Sequence, residues 1–270
     1  MTEDKNYKND ISRKALLNMA DDLAKEKRDW QTEKQLREQE IERQKNSFIS
    51  IASHQLRTPL ASIKWTLEML RRGEFGKLTA KQDSVMEDIY ESNERMISLI
   101  NDLLNASHIQ EGRLKFYPAK IDLLKLWRKI ISEKQAYYNA HNLKVELKSI
   151  GNNFITTIDH WYIRQVIESL LSNAINYSNK KGEISVLIKK EKCELICSIT
   201  DSGMGIPKNE QPHIFQKFFR GTNVSHDSAS GTGLGLYVSK SIIETTGGKI
   251  GFHSQENEGS TFYFSLPIKK

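Results

Sequence analysis

The chain has 270 residues, room for one large domain or two ordinary ones, and its 38% hydrophobic and 27% charged content suits a folded protein with a long solvated helical part. Its net charge of +6 does not point to nucleic acid, because Lys and Arg are interspersed with Asp and Glu and no helix-turn-helix or zinc-finger spacing occurs. No run nears the ~20 apolar residues of a membrane span, and the polar start Met1-Thr2-Glu3 lacks a signal-peptide core, so the sequence predicts a cytoplasmic chain without a membrane span.

Residues 10–46 are highly charged, with Leu16, Ala20, Leu23, Trp30 and Ile41 at helical spacing. Leu16, Leu23 and Trp30 fall in approximate heptads, but Lys27, Lys34 and Arg37 interrupt the seam. A weak coiled coil and a solvated helix both fit this pattern. No Gly or Pro separates it from the next segment, where Phe48, Ile51, Leu56, Ile63, Leu67 and Leu70 predict a helix with one buried stripe. Within Ser53-His54-Gln55-Leu56-Arg57-Thr58-Pro59-Leu60, His54 falls off the stripe and is expected to face water.

That helix should stop near residues 71–73, where Gly73 and Gly76 supply a turn and Thr79 an N-cap. A second stripe runs through Val85, Met86, Ile89, Met96, Leu99, Ile100, Leu103 and Leu104 to Gly112. Two antiparallel helices bury little alone, so the hairpin is expected to pair with a second copy as a four-helix bundle, making the protein a homodimer.

Pro118 marks the expected start of a second domain. Helices are predicted over 123–141, 161–177 and 234–246, with strands over 143–147, 183–189, 194–200, 249–254 and 259–266. Grouped this way, they suggest one mixed sheet with helices on a single face. Strict alternation places Cys193, Leu195, Cys197 and Ile199 on the inner face of one strand, as small buried side chains. The two cysteines have no second Cys/His pair to complete a metal site.

Four blocks in this half carry chemistry. Asn173 and Asn176, one helical turn apart, can face one cleft, and an amide oxygen can ligate Mg²⁺ without cancelling its charge. Asp201-Ser202-Gly203-Met204-Gly205 puts a carboxylate at a strand end, followed by glycines that permit close approach, which suits holding an amino group; an ordinary turn also fits. In the block 214–220, Lys217 and Arg220 are expected to reach phosphates from one helical face, although its aromatic residues read as packing. Gly231-Thr232-Gly233-Leu234-Gly235 opens a helix, so its backbone N–H groups and the helix dipole suit phosphates. The stretch 223–231, polar and small, reads as a lid.

The order of these blocks after the histidine resembles the core of bacterial sensor histidine kinases across about residues 44–268. The resemblance implies an α+β multidomain chain: a signalling helix (1–45), a dimerisation and phosphotransfer hairpin (46–115) and an ATP-binding α/β sandwich of the Bergerat type (116–270). It implies ATP and Mg²⁺ as cofactors, a response-regulator receiver domain as partner and an upstream sensor module. By position, His54 would be phosphorylated, Asn173 would ligate Mg²⁺ and Asp201 would contact adenine. Gly203 and Gly205 would shape the base pocket, while Tyr177 would line the cleft. Gly231, Gly233 and Gly235, with Thr232 and Leu234, would form the phosphate lid, and Arg220 would approach the γ-phosphate. Thr58, one turn from His54, would serve a phosphatase reaction.

Three positions depart from the family pattern. Gln55 replaces an acidic residue, so it can hydrogen-bond the imidazole but cannot take its proton. Asn176 replaces a frequent Lys. Ser169 stands where the hydrolysing relatives of this fold carry a water-activating Glu, which favours transfer to histidine over hydrolysis, although Glu168 is adjacent. The alternatives are a nucleotide-binding scaffold without activity and an ATPase of the same fold.

Overall fold

The computed structural model describes residues 3–140, 142–178, 182–222 and 232–268. The chain divides into two compact units, Met1–Ala52 and Ser53–Lys270. A single helix, α1 (Glu3–Arg71), supplies all the regular structure of the first unit. There Trp30, Leu36, Ile41 and Phe48 are exposed, Lys34 lies over the Trp30 ring, and Glu33 pairs with Arg37 one turn on. The side chains of Leu16, Ala20 and Leu23 lie outside the described residues.

In the second unit, the end of α1 pairs with α2 (Ala80–Gln110). Thr79 starts α2 with a reciprocal cap: its hydroxyl accepts from the Gln82 N–H, and the Gln82 side chain accepts from the Thr79 N–H. Leu60, Leu67 and Leu104 are buried, and Asn93 of α2 donates to the Leu60 carbonyl at 3.1 Å. The expected stripe is only half satisfied within this one chain. Leu56, Ile63, Val85, Ile89, Met96 and Leu99 are exposed, because a lone pair of helices has a single contact line. Pro59 sits inside α1 and has no N–H for the Gln55 carbonyl, so the turn after His54 lacks one helical bond.

The remainder is an α/β layer. Strand β1 (Ala119–Asp122) leads into α3 (Leu123–Glu133) and α4 (Gln135–Ala140), then β2 (Lys144–Ile150) and β3 (Ile155–Ile158). After α5 (His160–Tyr177) come β4 (Glu183–Glu191), β5 (Glu194–Asp201), a 3₁₀ turn (Gln211–His213), α6 (Gly235–Thr245), β6 (Lys249–Gln255) and β7 (Gly259–Pro267). The main sheet runs β2-β4-β5-β7-β6, parallel only between β2 and β4, and β1 pairs with β3 in a separate two-stranded ribbon.

Period-two burial explains the layering. Ile184, Val186 and Ile188 of β4, Leu195, Cys197 and Ile199 of β5, and Phe262, Phe264 and Leu266 of β7 all enter one core. Ile163, Val166, Ile167 and Leu170 of α5, and Val238 and Ile242 of α6, fill it from the helical side.

Three expectations change. The ribbon strands were not anticipated, since four residues are too few for alternation to register. The helix expected over 123–141 breaks at Lys134. Cys193 lies in the β4–β5 turn and is exposed, leaving only Cys197 buried, its thiol pushed up to about 12 by burial and therefore unreactive.

Candidate functional site

Two adjoining hollows in the α/β layer gather most of the chemistry-bearing residues. Helix α5 is fixed at its start by Asp159, which accepts from the N–H groups of Trp161 (2.8 Å), Tyr162 (3.3 Å) and Tyr117 (2.8 Å). That cap aligns its last turns so that Asn173 and Tyr177 line the inner cavity. Asp201 ends β5 opposite Ser260 of β7, and its Oδ1 accepts from the N–H groups of Gly203 (2.9 Å) and Ser260 (3.3 Å). Asp201 is only 6% exposed. Burial pushes its carboxyl above the usual carboxylate range, and the two N–H bonds pull the other way.

Gly203 is required by space, since a Cβ there would lie 2.0 Å from the Tyr177 carbonyl oxygen. That carbonyl also accepts from Met204 at 3.2 Å, which ties the loop to the end of α5. Around Asp201 the cavity wall is largely apolar, with Ile206, Ile214, Phe219 and Phe262. One buried acceptor in an apolar slot suits a flat heterocycle bearing an amino group.

Outward, the cavity opens into a cleft of about 620 Å³ that shares Asn173, Tyr177 and Arg220 with it. Asn176, Ser169, Thr232, Gly233 and Gly235 line this second part. Gly233 has a φ of +68°, and its carbonyl accepts from Phe218 at 3.0 Å, joining the aromatic block to the glycine block. The Ser169 hydroxyl lies 2.7 Å from where a Gly235 Cβ would sit, so the two small residues fit each other. Glu168, beside Ser169, pairs with Arg164 at 2.8 Å. Tyr177's phenol is pushed up by burial, while the Arg220 charge draws it down.

The cleft's far wall is α2. Asp102 accepts from Gln165 Nε2 (3.3 Å) and Thr232 Oγ1 (3.4 Å), and Asn105 donates to Gln165 Oε1 at 2.9 Å. Withdrawal from water at this contact pushes Asp102 up to about 6.

The sequence-derived candidates therefore separate into groups. Asn173, Tyr177, Asp201, Gly205 and Arg220 meet at the inner cavity, and Asn176, Thr232, Gly233 and Gly235 meet at the wider cleft. Gly203 shapes the Asp201 loop from behind. Lys217 lies 5.0 Å over the Tyr237 ring and lines neither hollow, and residues 214–220 form turns instead of the expected helical face. Leu234 is buried in the core at the start of α6. Gly231 and the stretch 223–231 lie outside the described residues. His54, Gln55 and Thr58 are exposed on α1 and line neither hollow.

Sequence reasoning missed Asp102, Gln165 and Glu210. The first two face each other across 63 residues, and Glu210 sits in a loop with no periodicity. Among the described residues, no cluster of three or more His, Cys, Asp or Glu side chains is placed to hold a metal. Any cation here would rest on the Asn173 amide and on oxygens of a bound ligand, which suits Mg²⁺.

Comparison with known proteins gives a consistent picture. Residues 44–112 match the model for the His Kinase A (phospho-acceptor) domain. Residues 158–270 match the model for the histidine kinase-, DNA gyrase B- and HSP90-like ATPase. The chain is 32% identical over 225 residues to the circadian input-output histidine kinase CikA of Synechococcus elongatus, covering 83% of this chain and 30% of that protein. It is 35% identical over 240 residues to the sensor protein KdpD of Clostridium acetobutylicum, covering 87% and 26%. The chain thus spans between 26% and 38% of the length of curated relatives it matches. The catalytic domain of the histidine kinase ThkA superposes with a TM-score of 0.51 at 26% identity, covering 58% of this chain and all of that one.

Proposed function

Since the chain belongs to the sensor histidine kinases of two-component systems, we propose that it transfers the γ-phosphoryl group of ATP to His54 and passes it to an aspartate of a response-regulator receiver domain. The observation that carries this reading is the convergence of Asn173, Tyr177, Asp201 and Arg220 on one cavity, in a chain that also exposes His54 on a separate helix.

In this reading Asp201 accepts a hydrogen bond from the adenine amino group, in a slot walled by Ile206 and Phe262. The triphosphate runs outward past Thr232, Gly233 and Gly235, where backbone N–H groups at the start of α6 suit its charge. Arg220 faces the transferring group and stabilises charge on its equatorial oxygens. Asn173 would hold Mg²⁺, which supplies further charge neutralisation on the phosphates when bound.

The unprotonated ring nitrogen of His54 attacks the γ-phosphorus in line as the bond to the bridging oxygen breaks and ADP leaves. The proton on the other ring nitrogen then passes to water, since Gln55 can orient it through a hydrogen bond but cannot accept it. Thr58 orients a water that hydrolyses the receiver's aspartyl phosphate, releasing inorganic phosphate and the free aspartate. The exposed hairpin face takes a second copy as a homodimer, and the charged start of α1 transmits input from a sensor module.

His54 lies outside the cleft in the arrangement described here, so transfer needs the α/β layer to leave its contact with Asp102. Incubation with Mg²⁺ and γ-labelled ATP tests the proposal. Label that survives alkali, is lost in acid and is absent from His54→Ala supports it. Tight ATP binding without label would instead favour the scaffold reading, to which Gln55 lends weight.

A further inference from the structure

Glu210 is 6% exposed and belongs to neither the base-binding loop nor the phosphate lid. Acidic side chains are rarely buried so fully without a partner that needs them. Its Oε1 accepts from both donors of Thr222, the backbone N–H at 3.0 Å and the hydroxyl at 2.5 Å. Its Oε2 is buried and has no hydrogen-bond partner among the described residues. Leaving a polar oxygen unsatisfied is costly, and an apolar side chain would fill the same space without that cost.

The backbone of Glu210 is itself held. Its N–H donates to the Pro207 carbonyl at 2.9 Å, directly after the base loop, and its carbonyl accepts from His213 at 2.9 Å. Glu210, Arg220 and Gly221 line the same inner cavity. The span from Phe219 to Gly221 is fixed at both ends, by the Phe218 N–H on the Gly233 carbonyl and by Thr222 on Glu210. Thr222 is exposed, so these bonds do not serve to fill the core. Glycine at 221 contributes no side chain of its own to hold the span.

We propose that Glu210 is a positioning residue for Arg220: its carboxyl pins Thr222 and thereby sets the Arg220–Gly221 segment across the nucleotide cavity. The assignment rests on the kinase reading above and adds a role for a residue that contacts no reacting atom. A side chain that merely braces the fold would lower stability, nucleotide affinity and rate together. One that aims Arg220 lowers the rate at saturating ATP, because small misplacements of a charged group are felt chiefly in the transition state.

The test uses the full chain and follows acid-labile label on His54 as Mg²⁺–ATP is varied. Glu210→Ala is expected to lower the saturating rate about tenfold, with KM for ATP changed by less than about threefold. Glu210→Gln, which keeps an acceptor for Thr222, recovers part of the loss. In an Arg220→Ala background Glu210→Ala adds nothing further, because both changes remove one device. Thr222→Val keeps the buried carboxyl and perturbs only an exposed position, and about a threefold rate loss is expected from losing one of the two bonds. It decides the matter should Glu210→Ala fail to fold.

A wild-type rate in Glu210→Ala or in Thr222→Val overturns the proposal, as does a full additional loss in the Arg220→Ala background. Absence of label from the wild type would defeat the kinase reading and this assignment together. Label in the wild type with an indifferent Glu210 defeats this assignment alone.

Discussion

Asp201 is buried where a carboxylate is disfavoured, yet it ends a strand at the wall of the inner cavity. Its carboxyl is raised by burial, so its contribution to stability is complete below the unfolded-state pKa of about 4 and is lost as pH rises through its folded value. Above that point the protein carries the carboxylate at a cost. Asp201→Asn keeps an oxygen for the Gly203 and Ser260 N–H groups but turns a donor toward the base. The expected result at pH 7.5 is an unchanged or higher melting temperature, with ATP affinity lower by at least about tenfold, since a hydrogen bond to a charged acceptor is worth about 1.5–3 kcal/mol. Calorimetric titration with ATP beside a thermal melt checks both halves. Retained affinity, or a fall in both quantities, would show that Asp201 braces the loop rather than reads the base.

Helix α2 touches the histidine helix on one side and the α/β layer on the other. Asn101 accepts from Arg57, three residues after His54, at 2.9 Å, while Asp102 and Asn105 hold Gln165. Because burial raises Asp102 to about 6, this contact is strongest below about pH 4 and weakens as pH rises from there through 6. Asp102→Asn removes that dependence. At pH 7.5 it is expected to raise stability by up to about 2–3 kcal/mol, from a shift of about two units at about 1.4 kcal/mol each. Melting curves of both proteins from pH 4 to 8 should converge at the acid end, and a constant gap would contradict the assignment. A contact that holds the α/β layer away from His54 should also slow labelling when strengthened.

The same helix shows what was legible in the sequence. Its start, stripe and stop were readable because 31 residues of period 3.6 leave a strong signal and Thr79 is a chemical start mark. The β4 and β5 alternation was readable likewise. Asp102 was not, since its partners Gln165 and Thr232 stand 63 and 130 residues away and only folding brings them together. The three-residue spacing of Lys217 and Arg220 suggested one helical face, whereas residues 214–220 form turns in which Phe218 adopts φ +62° and donates its N–H to the Gly233 carbonyl. His54 was singled out by its motif, but its separation from the cleft was invisible in one dimension.

At the scale of the whole molecule, the hairpin is unfinished. Leu56, Ile63, Trp65, Val85, Ile89 and Met96 are each between 43% and 63% exposed, on two helices whose deeply buried leucines, among the described residues, are Leu60, Leu67 and Leu104. Six large apolar side chains exposed on one hairpin suit an interface, and the same hairpin from a second copy offers a matching face. The ion pairs across the hairpin, Lys64–Glu94 and Arg71–Glu87, are partly exposed and contribute little by comparison. Ile63→Glu places a charge where the two hairpins would meet, at a cost of several kcal/mol if the site is desolvated in the dimer. Sedimentation equilibrium is expected to show the wild type as a dimer of the 31.1 kDa chain and the variant as a monomer. ATP binding should survive, because the core around Trp127, Ile163 and Phe264 contains no residue of that face. A dimer that persists in Ile63→Glu would place the interface elsewhere. Loss of ATP binding together with the dimer would show instead that the hairpin and the α/β layer fold as one cooperative unit.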